Sequence, residues 1–165
     1  MAIAIVYGSN LGNTATVAKI IGKELNIADN HIINISETTP EALNEYDKLI
    51  LGTSTWGVGD MQDDWLEFDF KKLEIKDKTV ALFGLGDSQI YAFTFCNGLG
   101  SLYKHLQKKH PKFVGFVDKK DYNFGDSLAV VGDQFVGLPL DYDNFPEKIE
   151  DQVKDWVAKI KPDLE

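Results

Sequence analysis

Ala2-Ile3-Ala4-Ile5-Val6-Tyr7-Gly8-Ser9-Asn10-Leu11-Gly12-Asn13-Thr14 is the stretch that decides the architecture. Its first six residues form an apolar run of strand length. The residues that follow, 15–25, place Val17, Ile20, Ile21 and Leu25 at the i, i+3, i+4, i+8 spacing of one helix face. A turn rich in hydroxyl, amide and glycine therefore joins a buried strand to an amphipathic helix. Such a turn points backbone N–H groups at an anion, and the helix dipole favours negative charge there. No lysine precedes Lys19 and the chain contains no arginine. A phosphate bound here is expected to be held by amides and hydroxyls alone.

Working outward, the same alternation repeats. Apolar runs at residues 31–35, 48–53, 79–84 and 113–117 read as further strands. Leu99, Leu102, Tyr103 and Leu106 repeat the helical spacing, as do Ile149, Val153, Trp156, Val157 and Ile160, with an end expected at Pro162. Strands separated by helices imply βαβ units and a parallel sheet covered on both faces, a doubly wound α/β domain whose ligands bind beyond the carboxyl ends of the strands. Residues 118–143, punctuated by Gly125, Gly132, Gly137 and Pro139, break the alternation and read as a long loop inserted in or beside the last strand.

Composition bounds the function. The 165 residues suit one domain, here taken as 1–165, burying roughly 70% of the surface its unfolded chain would expose. No apolar run approaches the ~20 residues of a membrane span, and no basic leader precedes the first strand. The formal charge of -9 argues against nucleic acid and anionic membranes and favours a partner with a basic face. A single cysteine, Cys96, excludes an internal disulfide and fits a reducing cytoplasm. The three histidines and one cysteine show no metal-ligand spacing, so no metal site is expected.

Three loops leave the ends of three expected strands. The first is Ser9 to Thr14. The second is Ser54-Thr55-Trp56-Gly57-Val58-Gly59-Asp60, and the third Gly84-Leu85-Gly86-Asp87-Ser88-Gln89-Ile90-Tyr91. Together they offer a phosphate cradle and two aromatic rings, Trp56 and Tyr91, on separate loops. Two such planes suit a flat heteroaromatic ring carrying a phosphorylated tail, each stacking contact adding about 0.5–1.5 kcal/mol beyond area burial.

At these residues the chain resembles the flavodoxins over essentially its whole length. Ser9, Gly12 and Thr14 match the family's phosphate turn. The segment from Ser54 to Asp60 is similar to the loop supplying the inner stacking tryptophan. Gly84-x-Gly86-Asp87-x-x-x-Tyr91-x-x-x-Phe95 is similar to the loop supplying the outer tyrosine. The insertion, with Gln134-Phe135-Val136-Gly137-Leu138 and then Asp141-x-Asp143-Asn144, resembles that of the long-chain subgroup.

The resemblance implies a five-stranded parallel sheet of order 2-1-3-4-5 and one non-covalent FMN. It also implies a one-electron carrier, not an enzyme, that stands in for ferredoxin between redox proteins such as a flavodoxin or ferredoxin reductase and a 2-oxoacid oxidoreductase. A cytoplasmic monomer is expected. The implied cofactor contacts are Ser9, Asn10, Leu11, Gly12, Asn13, Thr14, Ser54, Thr55, Trp56, Gly57, Val58, Gly59, Gly86, Asp87, Tyr91, Thr94 and Asp143. In the family the peptide after the ring-flanking residue flips on one-electron reduction; Gly57 supplies the φ > 0 that a II′ turn needs there.

Leu11 and Phe93 depart from the family pattern. Leu11 replaces a usual hydroxyl, which predicts one phosphate bond fewer. Phe93, if outward, would form part of a docking patch beside the ring edge. Asp60, Asp63, Asp64, Glu67 and Asp69 form a solvated acidic run that also opposes negative charge on the ring. Trp65 and Trp156 are assigned to packing, Cys96 to packing on the fourth helix, and His31, His105 and His110 to the surface. The insertion is expected to cover the last strand. The competing reading is an FMN-dependent quinone reductase on the same fold, which the absence of arginine disfavours because a 2′-phosphate is commonly read by that side chain. A phosphorylated receiver domain wants paired acids where Gly8 and Ser9 stand, and a P-loop hydrolase wants the lysine that Asn13 replaces.

Overall fold

The computed structural model describes residues 2–9, 12–56 and 59–165, Trp56 by its backbone alone. In chain order its elements begin β1 (Ile3–Gly8), α1 (Asn13–Leu25), β2 (Ile32–Asn34), the short α2 (Pro40–Leu43) and β3 (Lys48–Thr53). A two-strand ribbon, β4 (Thr55–Trp56) and β5 (Asp60–Met61), leads to α3 (Asp63–Glu67), β6 (Thr79–Leu85), α4 (Asn97–Gln107) and β7 (Lys112–Val114). Then come β8 (Val117–Asp118), β9 (Val130–Val131), β10 (Gln134–Phe135), β11 (Leu138–Leu140) and α5 (Ile149–Leu164).

The main sheet is parallel throughout, in the order β11-β6-β3-β1-β2, with β7 also on β6. This is the expected doubly wound order. Strands β3 and β6 are apolar on both faces, as buried parallel strands must be when helices cover each side. One core forms where Ile5, Ile50, Ala81 and Phe83 meet Val17 and Ile21 of α1 and Val153, Trp156 and Ile160 of α5. On the other face Val6, Leu51 and Leu82 meet Trp65, Leu99, Leu102 and an aromatic group around Phe95 and Phe135.

Two boundaries differ from the sequence reading. The fifth strand is split: Lys112, Phe113 and Val114 pair with Thr79, Val80 and Ala81, while Leu138, Pro139 and Leu140 pair with Phe83, Gly84 and Leu85. The excursion therefore spans residues 115–137, not 118–143, and it is not plain loop, since β8, β10 and β9 form their own antiparallel sheet. Gly115, at φ 83, turns the chain out of the sheet, and its carbonyl accepts a bond from Trp156 Nε1 at 2.8 Å. The other difference is α5, which runs through Pro162 to Leu164. Pro162 forfeits the bond its N–H would make to the Ala158 carbonyl, but only two helical residues follow it, and continuing buries Leu164.

Packing assignments hold. Trp65 is fully buried, its Nε1 donating to the Gly52 carbonyl at 2.8 Å, and Trp156 is buried too. Cys96 is fully enclosed at the start of α4, and burial pushes its thiol far up. Among the described residues no helix is long and apolar enough to cross a membrane.

Candidate functional site

The sheet register fixes where the site lies. Gly8 pairs with Thr53, and Thr53 with Gly84. The three loops picked out in the sequence thus leave adjacent strands at one level, at the carboxyl end of the sheet, where a doubly wound fold binds its ligand.

In the first loop the Gly12 N–H donates to Ser9 Oγ at 2.9 Å. Gly12 takes φ 93, and a Cβ there would meet nothing within 4 Å among the described residues. Helix α1 then starts at Asn13 with no side-chain cap and no acidic residue in its first turn. Its leading N–H groups have no intrahelical acceptor. Thr14 is buried, and Ser9, bonded through its oxygen, keeps its hydroxyl hydrogen to give away. Asn10 and Leu11 lie outside the described residues.

In the second loop the Ser54 hydroxyl is buried without a hydrogen-bond partner among the described residues. An orphaned hydroxyl costs free energy unless something satisfies it. Thr55 Oγ1 accepts from the Gly98 N–H at 3.0 Å, tying this loop to the first turn of α4. The ribbon pairs Trp56 with Asp60, and Gly59 turns at φ 113 against the Asn97 side chain. The Trp56 ring, Gly57 and Val58 fall outside the described residues, so the expected peptide flip lies there as well.

The third loop is held most tightly. Asp87 Oδ1 accepts from the N–H groups of Gln89 (3.0 Å) and Ile90 (2.9 Å), and the Asp87 carbonyl accepts from Tyr91 N–H at 3.1 Å. Burial raises the Asp87 carboxyl, but bonds from Ile90 N–H, the Asn144 amide and Gln89 N–H outweigh it and leave it below the usual range. Tyr91 is 54% exposed and Phe93 is 77% exposed, so Phe93 does face outward. Ile90 is exposed beside them, giving the loop an apolar outer surface. Thr94 carries the turn onward, its carbonyl accepting from Asn97 N–H at 3.1 Å. Asp143 makes no hydrogen bond among the described residues; burial first, then the Asp87 and Asp141 charges, push its carboxyl up. Its neighbours Asp141 and Asn144, instead, bind the loop.

The insertion does more than cover a strand. Gly125 N–H (2.7 Å) and Asp126 N–H (3.0 Å) donate to the Ala92 carbonyl, and Phe95 N–H donates to the Asp126 carbonyl at 3.3 Å. Ser127 Oγ donates to the Phe95 carbonyl, and Leu128 N–H donates to Asn97 Oδ1 at 2.7 Å. Phe124 and Phe135 pack on the Phe95 ring at 5.7 and 5.9 Å. The sequence reading singled out none of Asn97, Ser127 or Phe124. No local pattern marks them, because their partners lie some thirty residues away.

A family model for flavodoxin matches residues 5–156. The chain belongs to the flavodoxin family. It is 39% identical to a flavodoxin of Synechocystis sp., the alignment covering 99% of this chain and 98% of that one. It is 38% identical to flavodoxin 1 of Escherichia coli, over 97% of this chain and 93% of the relative. Among solved structures, the flavodoxin of Fusobacterium nucleatum bound to flavin mononucleotide superposes with a TM-score of 0.87 at 28% identity, covering 98% of this chain and 97% of that one.

Proposed function

We propose that this flavodoxin carries one FMN, without a covalent bond, and passes single electrons at low potential between redox proteins in place of ferredoxin. The observation that carries the reading is the common level of Gly8, Thr53 and Gly84, which brings an uncapped helix start, an orphaned hydroxyl and an exposed tyrosine to one sheet end. These groups suit the cofactor. Ser9, Gly12, Asn13 and Thr14, with Asn10 and Leu11, would hold the phosphate, and Ser54 and Thr55 its flank. Trp56, Gly57, Val58 and Gly59 would line one side of the ring, with Gly86, Asp87, Tyr91, Thr94 and Asp143 on the other. Bound FMN supplies one-electron chemistry; the chain's own residues bind it, shield it from water and keep it among acids.

An absorbance titration with a chemical reductant tests this. Protein that turns from yellow through blue to pale supports the carrier. Direct bleaching with steady oxidation of NADPH would favour a quinone reductase. Material that stays colourless when mixed with FMN would refute the cofactor altogether.

The partners this reading favours are reductases and acceptors with basic faces, met by a cytoplasmic monomer, since the chain carries a formal charge of -9 and Asp60, Asp63, Glu67 and Asp69 are exposed. Ile90 and Phe93 would form the apolar centre of that contact. Phe93→Ser is expected to leave FMN affinity unchanged while slowing transfer to a reductase; equal transfer rates in stopped flow would remove Phe93 from the contact. Leu11→Thr is expected to tighten FMN by about 0.5–1.5 kcal/mol through one restored hydroxyl bond, read as a lower dissociation constant by fluorescence quenching.

A further inference from the structure

We infer that Asn144, acting with Asp141, is the positioning residue that sets the place of the Tyr91 loop. The Asn144 Nδ2 group lies 2.8 Å from Asp87 Oδ1 and 3.0 and 2.9 Å from the two oxygens of Asp141. Its two hydrogens bridge two carboxylates that share no other donor. The reverse amide orientation would set a carbonyl oxygen against both anions, so the donor role is fixed by the network. Asp141 Oδ2 accepts in turn from Ser88 N–H at 3.1 Å and Ser88 Oγ at 2.5 Å. Asp87 fixes the Gln89 and Ile90 amides. Asp87 and Ser88 are thus tied directly, and Gln89 and Ile90 through Asp87, to one short turn that lies more than fifty positions later in the chain.

The insertion holds the later part of the loop, through Ala92 and Phe95. Residues 87 to 90 have instead the directional bonds of the Asp141–Asn144 turn. Ser88 and Gln89 border a cleft of about 490 Å³ that Ala92, Tyr122, Phe145 and Gln152 also line. Asp141 is 6% exposed, so the bonds that meet it act away from bulk water. Cutting the bridge leaves the Asp87 and Asp141 carboxylates without the amide between them.

The inference rests on the FMN reading for its binding arm but not for its first arm. In apoprotein, Asn144→Ala is expected to speed amide hydrogen exchange at Gln89, Ile90 and Tyr91 while leaving β3 and β6 amides unchanged. With FMN, the same variant is expected to raise the dissociation constant about tenfold. Asn144→Asp, nearly the same shape, adds a third carboxylate; its deficit against wild type should be largest at pH 7.5 and shrink as the pH falls and a carboxyl proton restores a donor. Unchanged exchange at the three loop amides, or an Asn144→Asp deficit independent of pH, overturns the proposal. If Asn144→Ala does not fold, the Asn144→Asp pH series decides alone. If wild type fails to bind FMN, that sinks the cofactor reading, and the apoprotein exchange experiment still decides the clamp.

Discussion

Phe135→Ala is expected to lower the free energy of unfolding by about 3–5 kcal/mol, the usual cost of deleting a buried ring, and to weaken FMN binding with it. The side chain is fully buried, with ring neighbours Phe95 at 5.9 Å, Tyr122 at 5.1 Å and Phe124 at 5.2 Å. Its strand, β10, belongs to the insertion, yet Phe95 belongs to the loop that follows Tyr91. The same substitution therefore opens a void beside the Tyr91 loop. Urea unfolding of apoprotein measures the first effect and FMN titration the second. If stability falls while FMN affinity stays as it was, the insertion supports the core without supporting the loop. Equal stability would mean that the aromatic group is not a core at all.

Gly86→Ala is the second substitution with a large expected effect. A Cβ built at Gly86 would lie 2.6 Å from the Cys96 backbone nitrogen and 3.1 Å from the Phe95 ring. Backbone does not yield as a side-chain tip does, so either β6 or the start of α4 must shift. Overpacking of this kind costs about 1–3 kcal/mol. Gly86 N–H also donates to the Leu140 carbonyl at 3.0 Å, so movement here reaches β11 and the turn that holds Asn144. The expected readings are a lower apoprotein melting temperature and weaker FMN binding together. A variant that binds FMN as wild type does would show that the loop tolerates displacement. The clamp on residues 87 to 90 would then matter less than its geometry indicates.

The sheet was legible in the sequence because buried parallel strands are continuous apolar runs, and Ile3 to Val6, Leu49 to Leu51 and Val80 to Phe83 are fixed by little else. The loops were legible because glycine, hydroxyl and aromatic residues cluster at three strand ends. What stayed hidden has a common cause. The strands of the insertion are two residues long, too short to carry a period. Gly137 and Pro139 read locally as turn residues, although Pro139 sits in a strand where its missing N–H leaves the pairing with β6 intact, whereas Gly115, read inside a strand, is where the chain turns out. Asn144 and Asp87 stand 57 positions apart, and no spacing rule links an amide to a carboxylate at that distance. Of the motif Asp141-x-Asp143-Asn144 only Asp143 was expected to touch the cofactor, whereas the bonds to the loop fall to Asp141 and Asn144.

The division of the fifth strand has a further consequence. The main sheet ends on one side in two three-residue pieces separated by an excursion, one of them containing Pro139, and on the other in the three-residue β2. Neither border offers a long uninterrupted row of free backbone groups on which another chain could pair. An electron carrier that must part from its redox partners thus presents them no sheet edge to extend.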